Sequence, residues 1–200
     1  MQIRAEIRLL LLESAAVLLL SGSAFAEEGI RVQLVHGSPR ERETAETLQR
    51  VLASVNVRKY AFTREVRIEQ RAMNHAFPVL TLNVLFGNSP DELLSSFLHE
   101  QLHWWLRDHP QQRGDAVRQL RQMYPRVPVG LPESADTEES TYGHLVDCYL
   151  EIQADRALIG PERTTKVIKH KPWYTWIYKK EIDDEARIAA LVKAEGLEIE

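Results

Sequence analysis

Residues 99 to 103 read His99, Glu100, Gln101, Leu102, His103, an H-E-x-x-H run, and no other two of the chain's seven histidines stand four apart. On a helix that spacing stacks two side chains on one face. There both imidazoles reach one Zn²⁺, while Glu100, about a quarter turn round, points at the ion's open side. The surroundings favour a helix. Ser89, Pro90, Asp91 and Glu92 read as a capping box with proline at the first helical position. Leu94, Phe97, Leu98, Leu102, Trp105 and Leu106 form an apolar stripe with the histidines at its edge. Asp108, His109 and Pro110 end it, because the residue before a proline is pushed out of the helical region. The bland alternative is a core helix carrying two ordinary histidines.

A catalytic zinc site needs a third protein ligand. Residues 140–159 read as a second helix, closed by Gly160 and Pro161, and contain Glu151 and Asp155 as an E-x-x-x-D pair. The H-E-x-x-H run followed by this pair resembles the gluzincin metallopeptidases, the thermolysin-like class, over roughly residues 89–160. The resemblance implies Zn²⁺ on His99, His103 and Glu151, with Asp155 orienting one ligating histidine through its second ring nitrogen. It implies that Glu100 takes a proton from the zinc-activated water and passes it to the leaving amine.

Other candidates stay open. His144 lies two turns before Glu151, about 10 Å of axial rise, so one straight helix does not bring both to one ion. Glu151 takes the ligand role and His144 a substrate-facing one, donating to the tetrahedral oxyanion, although the two roles can be exchanged. His109 stands where the metzincin pattern H-E-x-x-H-x-x-G-x-x-H puts its last ligand, but Leu106 occupies the position that requires glycine. Cys148, between His144 and Glu151, is a soft-ligand alternative that reads more simply as a small buried apolar residue.

The first thirty residues address compartment. Arg4 and Arg8, an apolar stretch from Leu9 to Leu20 and the small-x-small run Ala24, Phe25, Ala26 read as a signal peptide spanning residues 1–26. The apolar stretch is too short for a convincing membrane span, and no cysteine near the cut suggests a lipid anchor. The expectation is a secreted or periplasmic protein with no stable membrane anchor after cleavage. Residues 1–26 carry two basic and two acidic side chains, so their removal leaves the net charge at -4. That balance shows no nucleic-acid footprint. With one cysteine, the mature chain makes no internal disulfide and depends on packing and metal for stability.

Residues 27–200 have the length of one domain. Residues 30–35 and 79–86 read as strands, 40–55 as an amphipathic helix, 59–69 as an extended stretch and 115–124 as a short helix. The prolines from Pro125 to Pro132 and the acidic run to Glu139 read as a loop. The fold class is therefore α+β: a small N-terminal sheet with helices, then a zincin-like active-site helix followed by a helical C-terminal half. A sheet edge beside the metal helix would bind an extended peptide or protein substrate as an added strand. Trp173, Tyr174, Trp176, Ile177 and Tyr178 form an aromatic run ahead of an acidic helical tail starting at Glu181. It either packs that tail onto the body or hangs Tyr174 or Tyr178 over the metal as a donor. Lys166, Lys169, Lys171, Lys179 and Lys180 read as a solvated basic face. Together these features point to a zinc metallopeptidase; the alternative is a zinc-binding, non-catalytic envelope protein that holds a peptide in the same groove.

Overall fold

Alternation builds the sheet. In the computed structural model, which describes residues 29–199, β1 (Arg31–Leu34), β2 (Glu65–Ile68) and β3 (Leu80–Leu82) pair in parallel in the order β1-β2-β3. The expected signal segment, residues 1–26, lies outside the described residues. Val66 and Ile68 of β2 turn inward, while Glu65 and Arg67 face out. All of β3 is buried, as suits a parallel strand covered by helices.

Parallel neighbours need a crossover, and α1 (Pro39–Ser54) supplies it between β1 and β2. Ser38 caps this helix: its Oγ accepts from the Glu41 N–H at 3.2 Å, and Glu41 Oε2 accepts from the Ser38 N–H at 3.2 Å. Glu41 Oε1 also accepts from the Gln70 N–H at 3.0 Å, which ties the chain leaving β2 back to the start of α1.

Two helices form the spine, α2 (Pro90–Arg107) and α4 (Glu138–Ile159). The first half of α2 buries Leu93, Leu94, Phe97 and Leu98 with Leu48, Ile68, Leu80 and Leu82 in a core beneath the sheet. Its second half sends Leu102 and Leu106 into a helical core. There they meet α3 (Pro110–Met123), α6 (Thr175–Asp183) and α7 (Glu185–Ala194) through Leu120, Ile177 and Leu191. α4 is buried round most of its circumference and likewise serves both cores, Leu145 and Ile152 in one, Ala154 and Ile159 in the other. Helices that are covered on all sides lie between layers. Gly160 then turns the chain at φ 81, a left-handed value that a Cβ disfavours, and Pro161 opens α5 (Pro161–His170).

The fold is α+β, with seven α-helices among the described residues and a small three-stranded sheet. None of these helices is long and apolar enough to cross a membrane. Several local expectations need correction. Ser89 is the N-cap of α2, but its side chain makes no cap hydrogen bond. The first-turn acids serve α5 instead: Asp91 Oδ2 accepts from Arg163 Nε at 2.8 Å, and Glu92 lies 3.5 Å from His170. The strand expected over 79–86 is paired only at Leu80–Leu82, and the extended stretch 59–69 opens with a 3₁₀ turn at Arg58–Tyr60 before β2. α3 begins at Pro110 rather than near 115, since proline is well tolerated in a first turn.

Candidate metal centre

α2 and α4 run antiparallel, and the site is a ladder between them. Ser95, His99 and His103 stand four apart on one face of α2; Asp155, Glu151 and Asp147 stand four apart on the facing side of α4. Ser95 Oγ lies 2.7 Å from Asp155 Oδ2 and 2.5 Å from Glu151 Oε1. His99 Nδ1 donates to Glu151 Oε2 at 2.9 Å, and His99 Nε2 lies 3.1 Å from Asp147 Oδ2. His103 Nε2 lies 3.3 Å from the same oxygen. Between the histidines, Leu102 anchors the helical core. Gln101 Oε1 accepts from the N–H groups of Phe62 and Thr63, both at 2.8 Å, and so fixes the entry to β2.

Glu151 is saturated. Besides Ser95 and His99, Lys171 Nζ reaches its Oε1 at 2.7 Å and the Tyr178 hydroxyl donates to its Oε2 at 2.7 Å. A carboxylate offers about four acceptor positions, and four donors fill them. Burial alone would raise this carboxyl, but Lys171 and His99 outweigh it and hold it well below the usual carboxylate range. Ser95 has one hydroxyl hydrogen for two carboxyl contacts, so the Asp155 contact needs a proton on Asp155. Burial and the neighbouring Glu151 push Asp155 up to about 7, in agreement.

Asp147 is the opposite case. It is fully buried, and neither of its oxygens has a hydrogen-bond partner among the described residues. Burial pushes it up to about 7. An unpaired buried carboxylate is costly unless a cation meets it. Two ligands at about 2.0–2.1 Å on a tetrahedral ion are about 3.3 Å apart, which is the spacing Asp147 Oδ2 keeps from the two Nε2 atoms. Hydrogen bonding fixes the tautomers to suit: a carboxylate and a carbonyl can only accept. His99 therefore carries its proton on Nδ1 toward Glu151. His144 carries its own on Nδ1 toward the Ser140 carbonyl at 2.7 Å, which leaves its Nε2 as a lone pair. Burial alone would lower His99, but Asp147 and Glu151 outweigh it and raise the ring well above the ordinary imidazole range, so its Nε2 becomes a lone pair when a metal ion displaces the proton there. The ligand atoms of His99, His103, His144 and Asp147 all lie within 4.8 Å of one another. The residues present fit a divalent metal ion.

Expected site residues fall in different places. His99, His103 and His144 come together with Asp147, whereas Glu151 faces the far nitrogen of His99. Glu151 thereby orients His99 as the resemblance implied for Asp155, and Asp155 is one rung further along. Cys148 is buried beside His99 and Glu151, behind the cluster, and burial pushes its thiol up to about 12. His109 is apart, stacked on Trp105 at 4.1 Å with its Nδ1 donating to the Trp105 carbonyl. Lys171 leaves the solvated face assigned to it: its side chain is 9% exposed because it pairs with Glu151. Asp147, Ser95 and Lys171 are the site residues that sequence reasoning missed.

A cleft opens on the cluster. Its lining includes Glu100, His99, His103, His144 and Tyr174, with residues Asn74, His75, Ala76 and Phe77 on one wall. Glu100 is almost fully buried, makes no hydrogen bond among the described residues, and is pushed up to about 7 by burial. Tyr174 sits in the left-handed region at φ 59, a conformation costing a non-glycine residue about 1–3 kcal/mol. It places its ring 4.5 Å from that of His144 and 5.9 Å from that of His99. Tyr178 instead belongs to the Glu151 network.

The sheet edge beside α2 is occupied by the chain itself. His75 bridges β3 in the antiparallel sense, its N–H donating to the Thr81 carbonyl at 3.0 Å and its carbonyl accepting from the Thr81 N–H at 2.8 Å. Main-chain groups of the flanking residues then point away from β3, and the Ala76 carbonyl accepts from Trp104 Nε1 at 2.9 Å. The edge facing the cleft is therefore the segment from Asn74 to Phe77. Met73, Leu85, Leu131 and Trp173, all large apolar residues left exposed, line a second cavity that shares Asn74, His99, Glu100 and Tyr174 with the first. No protein-family model, no curated protein and no solved structure matches this chain, so its function is read from geometry.

Proposed function

We propose that the chain is a zinc metallopeptidase, exported to the periplasm or the medium, in which His99, His103 and Asp147 hold the ion, Asp147 standing in the ligand place that the gluzincin resemblance gives to Glu151. The observation that carries this reading is the orphaned Asp147 carboxylate, which faces two imidazole Nε2 atoms at tetrahedral spacing. Nitrogen and oxygen donors in that arrangement suit Zn²⁺. A bound zinc supplies Lewis acidity, polarising the scissile carbonyl and lowering the pKa of water toward neutrality. The protein supplies the rest. Glu100, nearly fully buried in the lining of the cleft and with no partner for its carboxyl among the described residues, takes the water's proton. Tyr174 offers its hydroxyl where an oxyanion develops; His144, neutral with its proton committed to the Ser140 carbonyl, packs against the Tyr174 ring. Glu151 holds the His99 ring in place, and Lys171 balances the buried charge of Glu151.

A peptide fits this cleft. The segment from Asn74 to Phe77 offers main-chain partners to an extended chain, and the exposed apolar rim marks a ligand groove more than an ordinary surface.

One observation favours a second reading, a zinc protein that binds peptides without cutting them. His144 Nε2 is close enough to join the other three donors, and four protein ligands close the shell as in structural sites. Metal analysis and peptide hydrolysis on the same preparations separate the two. The peptidase reading expects about one zinc per chain and cleavage abolished by a chelator and restored by zinc. It expects Glu100→Gln to keep the metal and lose about 10²–10⁴ in rate, and His144→Ala to keep the metal. Zinc without cleavage, or loss of zinc from His144→Ala, supports the binding protein instead.

A further inference from the structure

His75 is held more firmly than a surface histidine needs to be. Its N–H and carbonyl are both bonded to Thr81. The residues on either side are also pinned, Asn74 Oδ1 accepting from the Asn83 N–H at 2.7 Å and the Ala76 carbonyl accepting from Trp104. The ring itself is fixed, with Nδ1 2.9 Å from the Met73 carbonyl. A carbonyl only accepts, so Nδ1 carries a proton and Nε2 is the atom left over: a lone pair on the neutral ring, an N–H on the charged one. Nε2 has no partner among the described residues, and His75 lines the same cleft as Glu100, His144 and Tyr174.

Resting on the peptidase reading, we propose that His75 is a catalytic residue of this cleft whose Nε2 delivers the proton to the departing amine. The protons balance. Water gives one proton to the Glu100 carboxylate as its oxygen bonds to the carbonyl carbon. Charged His75 then gives its Nε2 proton to the amide nitrogen; the C–N bond breaks with its electron pair going to nitrogen, which leaves an amine and a carboxylic acid. Protonated Glu100 passes its proton to neutral His75, restoring both groups, and the two products exchange a proton as they leave. Glu100 is thus spared from serving as base and acid at once.

The test uses the zinc-loaded mature protein, His75→Asn and a pair of substrates. Asn reproduces the Nδ1 donor to Met73 and removes Nε2, so the segment keeps its brace. One substrate is a peptide amide, whose amine must be protonated to leave; the other is the matching nitrophenyl ester, whose leaving group departs as an anion. His75→Asn is expected to lose about 10²–10⁴ in kcat on the amide and less than about tenfold on the ester, with KM and zinc content unchanged. His75→Gln, which keeps a donor near the Nε2 position but transfers no proton, is expected to follow His75→Asn. Equal losses on amide and ester, or an unchanged rate on the amide, overturn the role of His75 and leave the peptidase reading standing. A wild type inert toward both substrates overturns the two together. A readout without turnover is the ring nitrogen spectrum of the zinc-free protein. Adding a peptide product with a free amino terminus is expected to move the Nε2 resonance of His75 and not Nδ1, and an unmoved Nε2 counts against the role.

Discussion

Replacing Glu151 by Gln separates a residue that orients a ligand from one that binds the metal. The substitution keeps the shape, removes the charge, and puts an NH₂ group against a network made only of donors: Ser95, Lys171, His99 and Tyr178. Lys171 then keeps a buried ammonium without its partner; breaking a buried pair from one side costs about 3–5 kcal/mol. Asp155 can recover part of this by ionising, since Glu151 is one of the groups holding it protonated; Glu151→Gln with Asp155→Asn therefore pays the larger cost. Losing the acceptor behind a ligating histidine weakens metal affinity about 10–100-fold without abolishing it. Denaturant unfolding of the metal-free protein gives the first quantity, and competition with a chelator gives the second. A stability loss under about 1 kcal/mol would refute the buried-pair reading. Zinc affinity as poor as that of His103→Ala, which leaves too few ligands to hold the ion, would make Glu151 a ligand after all.

Two further outcomes follow from other groups. Glu181 is buried with both oxygens unpaired, and burial holds it well above the ordinary carboxylate range. The folded state keeps its proton where the unfolded chain has released it, so stability falls as pH rises above the unfolded value. Glu181→Leu should therefore stabilise the protein by about 1–3 kcal/mol, with a larger gain at pH 8 than at pH 5 in urea unfolding, and an equal gain at both would contradict the assignment. Tyr174→Phe keeps the ring against His144 and His99 and removes only the hydroxyl. Zinc content should be unchanged and hydrolysis should fall about 10²-fold, as for one oxyanion donor; an unaltered kcat would leave Tyr174 a packing role.

Much of the framework is legible in sequence because it depends on local periodicity. The stripe from Leu94 to Leu106 determines which face of α2 is buried and hence where His99 and His103 emerge. Gly160 and Pro161 mark the end of α4. The proposed ligand set is harder to read, because it depends on the register between two helices with 30 residues between them in sequence. E-x-x-x-D was visible, but the same four-residue period runs back one step to Asp147, three residues after His144. That third acid is the signal that sequence reasoning overlooked. Which of three equivalent acids faces both histidines follows from antiparallel packing, which sets Asp147 opposite them and gives Glu151 a full set of donors. Lys171 was misread for a related reason: a lysine among four others looks solvated until the turn after α5 carries it against Glu151.

Diffraction at the zinc absorption edge from crystals of the zinc-loaded mature protein tests the central claim most directly. The account predicts one anomalous peak bound by Nε2 of His99, Nε2 of His103 and a carboxylate oxygen of Asp147, each at about 2.0–2.2 Å, with Glu151 still on the far nitrogen of His99. A Glu151 oxygen or the Cys148 sulfur in the coordination shell, or no zinc between α2 and α4, would contradict it.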